Sequence, residues 1–159
     1  MPAIEIKKEY MLEAIRQAKI AKKEGDYAIG AVLVKEGKII ASRGNRSLRD
    51  ESPIAHAEIL VIIKGCEQFK SRHLSDCILY TTHEPCSMCT SVAIWAKLQG
   101  IVYGARIEDM ENYRQRNGND KFLWRTIAIS CADLISKSTE KIEIIKDFMR
   151  EECVKLFHN

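Results

Sequence analysis

Residues 77–89 read CILYTTHEPCSMC, and the change of character within that stretch decides the fold. CILYTT at 77–82 is a short apolar, β-branched run of the kind that forms a strand. Pro85 suits the first turn of a helix, where a fixed φ is already right and no N–H is needed, and helical pattern continues to about Lys97. Upstream, AHAEILVIIK at 55–64 reads as a mostly buried helix, and downstream Ile101–Gly104 reads as another strand. Further out, residues 6–24 place Met11, Ala14, Ile15, Ala18 and Ala21 at helical spacing before Gly25, a stop signal. Ile29–Val34 and Lys38–Ser42 are apolar runs joined by a turn at 35–38, which predicts a hairpin. Lys141–Lys146 predicts a fifth strand, and Phe148–Phe157 a closing helix with Met149, Cys153, Leu156 and Phe157 on one face. Residues 106–136 carry no clear period. Strands alternating with helices after an initial hairpin predict an α/β protein, a three-layer α/β/α sandwich with a central mixed five-stranded sheet.

Composition narrows the classes. The 159 residues suit one domain, 1–159, able to bury a core without disulfide staples. The chain is 46% hydrophobic and 30% charged, with eight glycines and three prolines, which excludes a fibrous or disordered protein. A net charge of +3 from 25 basic and 22 acidic side chains is too weak to demand a nucleic-acid partner. No apolar run reaches the roughly 18 residues of a membrane span, and the charged start MPAIEIKKEYMLEAIRQAK lacks the core of a secretory signal. A soluble, cytoplasmic protein with no membrane association is expected, its six cysteines reduced.

Chemistry concentrates at two places. His56-Ala57-Glu58 and Pro85-Cys86-Ser87-Met88-Cys89 are separated by one predicted strand, which brings two helix N-termini side by side. An imidazole and two thiolates suit zinc, and three protein ligands leave a fourth tetrahedral position for water. Helix N-termini favour thiolate over thiol, and bound zinc brings the pKa of its water near neutrality. Glu58 is then placed to move protons without being a ligand. A lone C-x-x-C is also compatible with a redox pair or half of a zinc ribbon. A ribbon needs a second close pair, which Cys66, Cys77, Cys131 and Cys153 do not supply, and a redox pair does not call for the upstream His-Ala-Glu. His73, His83 and His158 are expected at the surface or in packing, although His83, just before Glu84 and Pro85, leaves a place at a pocket edge open.

H-x-E followed by P-C-x-x-C is the signature of the zinc deaminases. From about Met11 to Arg106 the chain resembles the cytidine-deaminase-like superfamily, in the branch of tRNA adenosine deaminases, bacterial guanine deaminases and fungal-type cytosine deaminases. GAVLV, GNRS, IAHAEI, LYTTHEPCSMC and IVYGAR all have counterparts there, in that order. The resemblance implies zinc held by His56, Cys86 and Cys89, with Glu58 as proton shuttle. It also implies that Asn45 touches the substrate's ring, that the Ala57 N–H adds a contact, and that the protein is a homodimer. Two departures stand out: Asp26-Tyr-Ala-Ile29 replaces a proline-containing approach to GAV, and after Arg106 the likeness fades into IEDMENYRQRNGNDKFLWRTI. The tRNA-acting members usually continue there with a loop rich in small residues.

The expected function is zinc-dependent hydrolytic deamination of a free nucleobase or nucleoside, a guanine-like purine favoured. From Ser136 to Asn159 basic and acidic residues cancel, so no phosphate-binding footprint is visible. Asp120, Phe122 and Trp124 look suited to capping a small pocket: the aromatics stack on a base, and a carboxylate accepts from an exocyclic amine and a ring N–H. The alternatives are adenosine-to-inosine deamination of tRNA, then cytosine or cytidine deamination, and last a non-catalytic zinc-stabilised binding module, against which the intact Glu58 counts. Three residue-level alternatives stay open. Asn45 follows Gly44 and serves either a turn or the substrate; Arg43, Arg46 and Arg49 form either a phosphate-facing patch or solvated loop charges; Trp95 belongs to the core or, with Val92, to a dimer interface, ahead of a substrate platform.

Overall fold

Apolar side chains of the central strands divide by parity between two cores. Leu33 of β1 (Gly30–Lys35), Leu79 of β3 (Cys77–His83) and Ile101 of β4 (Gly100–Ala105) pack on one side of the sheet. There they meet Val61 and Ile62 of α2 (Ala57–Phe69) and Ala93 and Ile94 of α3 (Ser87–Trp95). Their neighbours Val32, Tyr80 and Val102 face the opposite way, onto Met11, Ala14 and Ala18 of α1 (Lys8–Lys23) and Cys153 of α6 (Arg150–Val154). A two-residue period that buries both faces makes such strands read as continuous apolar runs. The protein is seen in a computed structural model that describes residues 3–118 and 125–158.

Among the described residues the sheet has five strands in the order β2-β1-β3-β4-β5, with β2 at Lys38–Gly44 and β5 at Glu143–Ile145. β1 runs antiparallel to β2 and β3, while β3, β4 and β5 are parallel, so the expected mixed sheet and three layers are present. Glu36 and Gly37 both have positive φ, which suits the two-residue hairpin loop between β1 and β2. α1 lies directly on that hairpin: a Cβ at Gly30 would stand 1.9 Å from the Ala14 carbonyl oxygen. Glycine is therefore required at 30 by close backbone approach rather than by a turn.

Several boundaries differ from the sequence reading. Pro85 lies outside its helix, since α3 begins at Ser87 with Cys86 as N-cap, and the left-handed Lys97 lies beyond its end. The closing helix does not span 148–157. The chain is left-handed at Asp147 and Met149, which a right-handed helix does not contain, and only Arg150–Val154 is α-helical before a 3₁₀ turn at Lys155–Phe157. The aperiodic stretch holds α4 (Ile107–Asn117) and α5 (Cys131–Ser136). α4 is capped by Asp109, which accepts from the Arg106 N–H at 2.8 Å, and α5 by Ser130, which accepts from the Asp133 N–H at 3.0 Å. No helix among the described residues is long and apolar enough to cross a membrane.

Candidate active site

Two helix N-termini converge at one end of the sheet, and the caps themselves are the chemical groups. His56 is the N-cap of α2 and Cys86 the N-cap of α3, with Cys89 one turn further on. His56 Nδ1 lies 3.7 Å from Cys86 Sγ and 3.4 Å from Cys89 Sγ, and the three ligand atoms all fall within 4.8 Å of one another. Zinc bonds of about 2.3 Å to sulfur and 2.0 Å to nitrogen give tetrahedral N···S edges near 3.5 Å, so the donor set fits zinc in both chemistry and size. The Cys89 thiol, followed by His56, holds the Cys86 thiol down at about 4 against the cost of burial. Donation to Cys86, together with burial, pushes Cys89 the other way. Cys86 is thus ready as a thiolate, and Cys89 becomes one when a cation takes the place of its proton.

Glu58, 4% exposed, stands on the first turn of α2. Burial raises its pKa, with His56 opposing. Its Oε2 is 3.7 Å from Cys89 Sγ, and its Oε1 accepts from the Thr81 hydroxyl at 3.1 Å. The same hydroxyl lies 3.1 Å from the His83 carbonyl. Turned toward that carbonyl, it can accept from a protonated Glu58, so Thr81 suits either state of the carboxyl. Thr81 was not foreseen, although a fully buried hydroxyl beside a metal motif is a signal worth reading.

His56, Glu58 and Cys86 line a cavity of about 560 Å³ that also takes in Asn45, His83, Met110, Arg125 and Ile127. A larger open groove of about 790 Å³, between residues 97–99 and 135–143, is lined by no histidine or cysteine. Asn45 is buried and lines the cavity. His83 is buried, not a surface residue, and burial takes its pKa down to about 3, leaving a neutral ring that lines the cavity. Ala57 is buried at the start of α2. Asp120, Phe122 and Trp124 lie outside the described residues.

Two of the three arginines of the Asn45 loop are engaged by carboxylates. Arg46 pairs with Asp50, and Arg49 with Glu24 and Asp26, while Arg43 donates to the Ser42 carbonyl at 2.7 Å. Trp95 is 75% exposed and so is not core. Sequence reasoning also missed Glu84. Its buried carboxylate accepts from the Ile107 N–H at 3.2 Å and the Cys131 N–H at 3.0 Å, tying the residue before Pro85-Cys86 to the starts of α4 and α5.

A family model described as the cytidine and deoxycytidylate deaminase zinc-binding region matches residues 4–105, and the chain belongs to that deaminase family. It is 38% identical over 99 residues to a tRNA-specific adenosine deaminase of Aquifex aeolicus, covering 62% of this chain and 66% of the relative. To a guanine deaminase of Bacillus subtilis it is 39% identical over 98 residues, covering 62% of this chain and 61% of the relative. Those matches span less than two thirds of either relative. A tRNA-specific adenosine deaminase of Agrobacterium fabrum is 34% identical over 145 residues, covering 90% of this chain and 93% of that protein. A solved structure from work on A-to-I editing by tRNA:A34 deaminases superposes with a TM-score of 0.78 at 27% identity, covering 95% of this chain and 100% of the other.

Proposed function

We propose that the chain is a zinc-dependent hydrolase that deaminates adenosine within tRNA to inosine, releasing ammonia. One observation carries the choice of substrate: tRNA-specific adenosine deaminases are 30–34% identical over 90–94% of the chain, C-terminal third included, whereas a solved guanine deaminase of Nitrosomonas europaea that covers 98% of the chain is 20% identical. That third supplies the cavity wall at Met110, Arg125 and Ile127. Over the shared first part, 38% identity to a tRNA deaminase and 39% to a guanine deaminase do not discriminate. The guanine-like base favoured by the sequence reading therefore stands second, resting on that equal likeness.

His56, Cys86 and Cys89 would hold the zinc. When bound, the ion supplies Lewis acidity that makes hydroxide available near neutral pH. Glu58 takes one proton from the attacking water and delivers it to the ring nitrogen beside the reacting carbon, then takes the second from the newly bonded hydroxyl and passes it to the leaving amine. Carbon–oxygen bond formation and carbon–nitrogen bond cleavage then balance as adenosine plus water giving inosine plus ammonia. Burial raises the pKa of Glu58, which makes its carboxylate a stronger base toward the proton of the attacking water.

The same reading takes 1–159 as one deaminase domain acting in the cytoplasm as a homodimer. Exposed Trp95 on α3 and Ile63 on α2, with half-buried Val92, offer apolar surface for a second copy to cover. The test of function is steady-state kinetics of the zinc-loaded protein on an anticodon stem-loop, guanine, guanosine, adenine, adenosine and cytosine. The stem-loop should have the highest kcat/KM. Guanine in that place would select the second reading, and no turnover of any of them would overturn both.

A further inference from the structure

Asp26 is fully buried in the loop between α1 and β1, immediately after the left-handed Gly25. Four N–H groups converge on its carboxylate. Oδ1 accepts from the Tyr27 N–H at 2.9 Å and from Asn45 Nδ2 at 2.7 Å, and Oδ2 accepts from the Arg49 N–H at 3.0 Å and from Arg49 Nε at 3.3 Å. Every neighbour of the carboxylate is a donor, so the group at 2.7 Å is the amide nitrogen of Asn45 and not its oxygen. The second hydrogen of that NH2 reaches Ser47 Oγ at 2.8 Å. The backbone of Asn45 is held as well, its N–H by the Ile29 carbonyl at 2.9 Å and its carbonyl by Arg49 Nη2 at 2.8 Å.

Both amide hydrogens of Asn45 are therefore spent away from the substrate. Its Oδ1 is the polar atom left, no group among the described residues donates to it, and the residue lines the cavity with His56 and Glu58. We propose that Asp26 is a positioning residue that fixes the hydrogen-bonding sense of Asn45, so that Asn45 meets the substrate only as an acceptor. The inference rests on the deaminase reading and deepens it. The substrate must present a hydrogen at Asn45, and two sources have that chemistry: an N–H of a free base, on the ring or on an exocyclic amine, or a ribose hydroxyl of a nucleotide. The ring nitrogens of adenosine accept only and its amine is the reacting group, so on the tRNA reading the hydroxyl is the donor. An asparagine amide turned by half a revolution would offer NH2 instead. Asp26 is what makes that turn unfavourable, since it would set the amide oxygen against a carboxylate.

The experiment uses the full zinc-loaded chain with three proteins: wild type, Asp26→Asn, and the exchange D26N/N45D. Asp26→Asn should raise KM about tenfold while kcat and zinc content stay within about twofold, the size of one hydrogen bond to substrate. The exchange restores an acceptor facing the cavity and should bring KM back to within about threefold of wild type. A merely structural role would not separate KM from kcat or be rescued this way. A stem-loop with 2′-deoxyadenosine at the target position identifies the source. If the ribose hydroxyl is the donor, wild type should lose about tenfold in KM on it and Asp26→Asn nothing further; if a base N–H is, the Asp26→Asn loss should appear on free purines instead.

An unchanged KM in folded, zinc-replete Asp26→Asn overturns the proposal, as does failure of the exchange to restore KM. If Asp26→Asn does not fold, the side-chain amide resonances of Asn45 in the wild type decide. Nδ2 protons that hold their positions when an inosine-containing stem-loop binds support the lock, and protons that both move strongly overturn it. Failure of the deaminase reading looks different, since wild type then turns over nothing.

Discussion

The stretch from β1 to β4 and the stretch from α4 to the 3₁₀ turn are built differently. In the first, strands pair over five or more registers, β1, β3 and β4 are buried on both faces, and two of the three residues that could hold a metal, His56 and Cys86, cap helices laid against that sheet. In the second, α5 has six residues, β5 three and α6 five. Its short pieces add Cys131, Ile135, Cys153 and Phe157 to the two cores and are joined by polar ties: Arg106 to Asp147 at 2.7 Å, Arg150 to Asp109 at 2.6 Å, and the Glu84 carboxylate that anchors α4 and α5 to the loop of Cys86. His56, Glu58 and Cys86 belong to the first part, and the second part supplies one wall of the cavity they line. A fold divided in this way can keep one reaction while the wall is rewritten for another substrate.

Damage to the first region should be severe. His56→Ala removes a ligand, and elemental analysis should find zinc far below one per chain, with turnover lost; full zinc occupancy would break the proposed division. Gly30→Ala, far from the metal, sets a methyl against the Ala14 carbonyl of α1. Overpacking of that kind should cost about 3 kcal/mol, seen as a fall of about 10 °C in melting temperature. A wild-type melting curve would show that α1 is not seated as described.

The second region should answer weakly. Asp147 has its pKa lowered chiefly by the hydrogen bond from Arg106. A folded-state pKa below the unfolded one stabilises above the unfolded value, about 4, and that contribution disappears as pH falls through the folded value. The pair is about one-third exposed on each side. Asp147→Asn should therefore cost less than about 1 kcal/mol at pH 7, and the gap from wild type should close below about pH 4 in denaturant titrations. A gap that widens in acid would reverse the assignment.

The same contrast explains what could be read in advance. Runs such as GAVLV and CILYTT carry their burial in their own composition, and His-Ala-Glu with Cys-x-x-Cys carries its chemistry in its spacing. Glu84 could not be read, because its partners Ile107 and Cys131 lie 23 and 47 residues away. Nor could the break at Asp147 and Met149, where non-glycine residues adopt left-handed backbone. The helical period over 148–157 was real, but no local signal marks that turn. Asp26 read only as a departure from a proline-containing approach, because its meaning depends on Asn45 and Arg49 across the loop.

The claim at the centre is that one buried carboxylate moves the protons beside a metal it does not hold. Glu58→Gln keeps the shape and removes the proton carrier, so metal content and turnover measured on the same purified sample test it most directly. The variant should retain one zinc per chain while kcat falls by roughly 10²–10⁴; zinc lost along with activity, or kcat within tenfold of wild type, would contradict it.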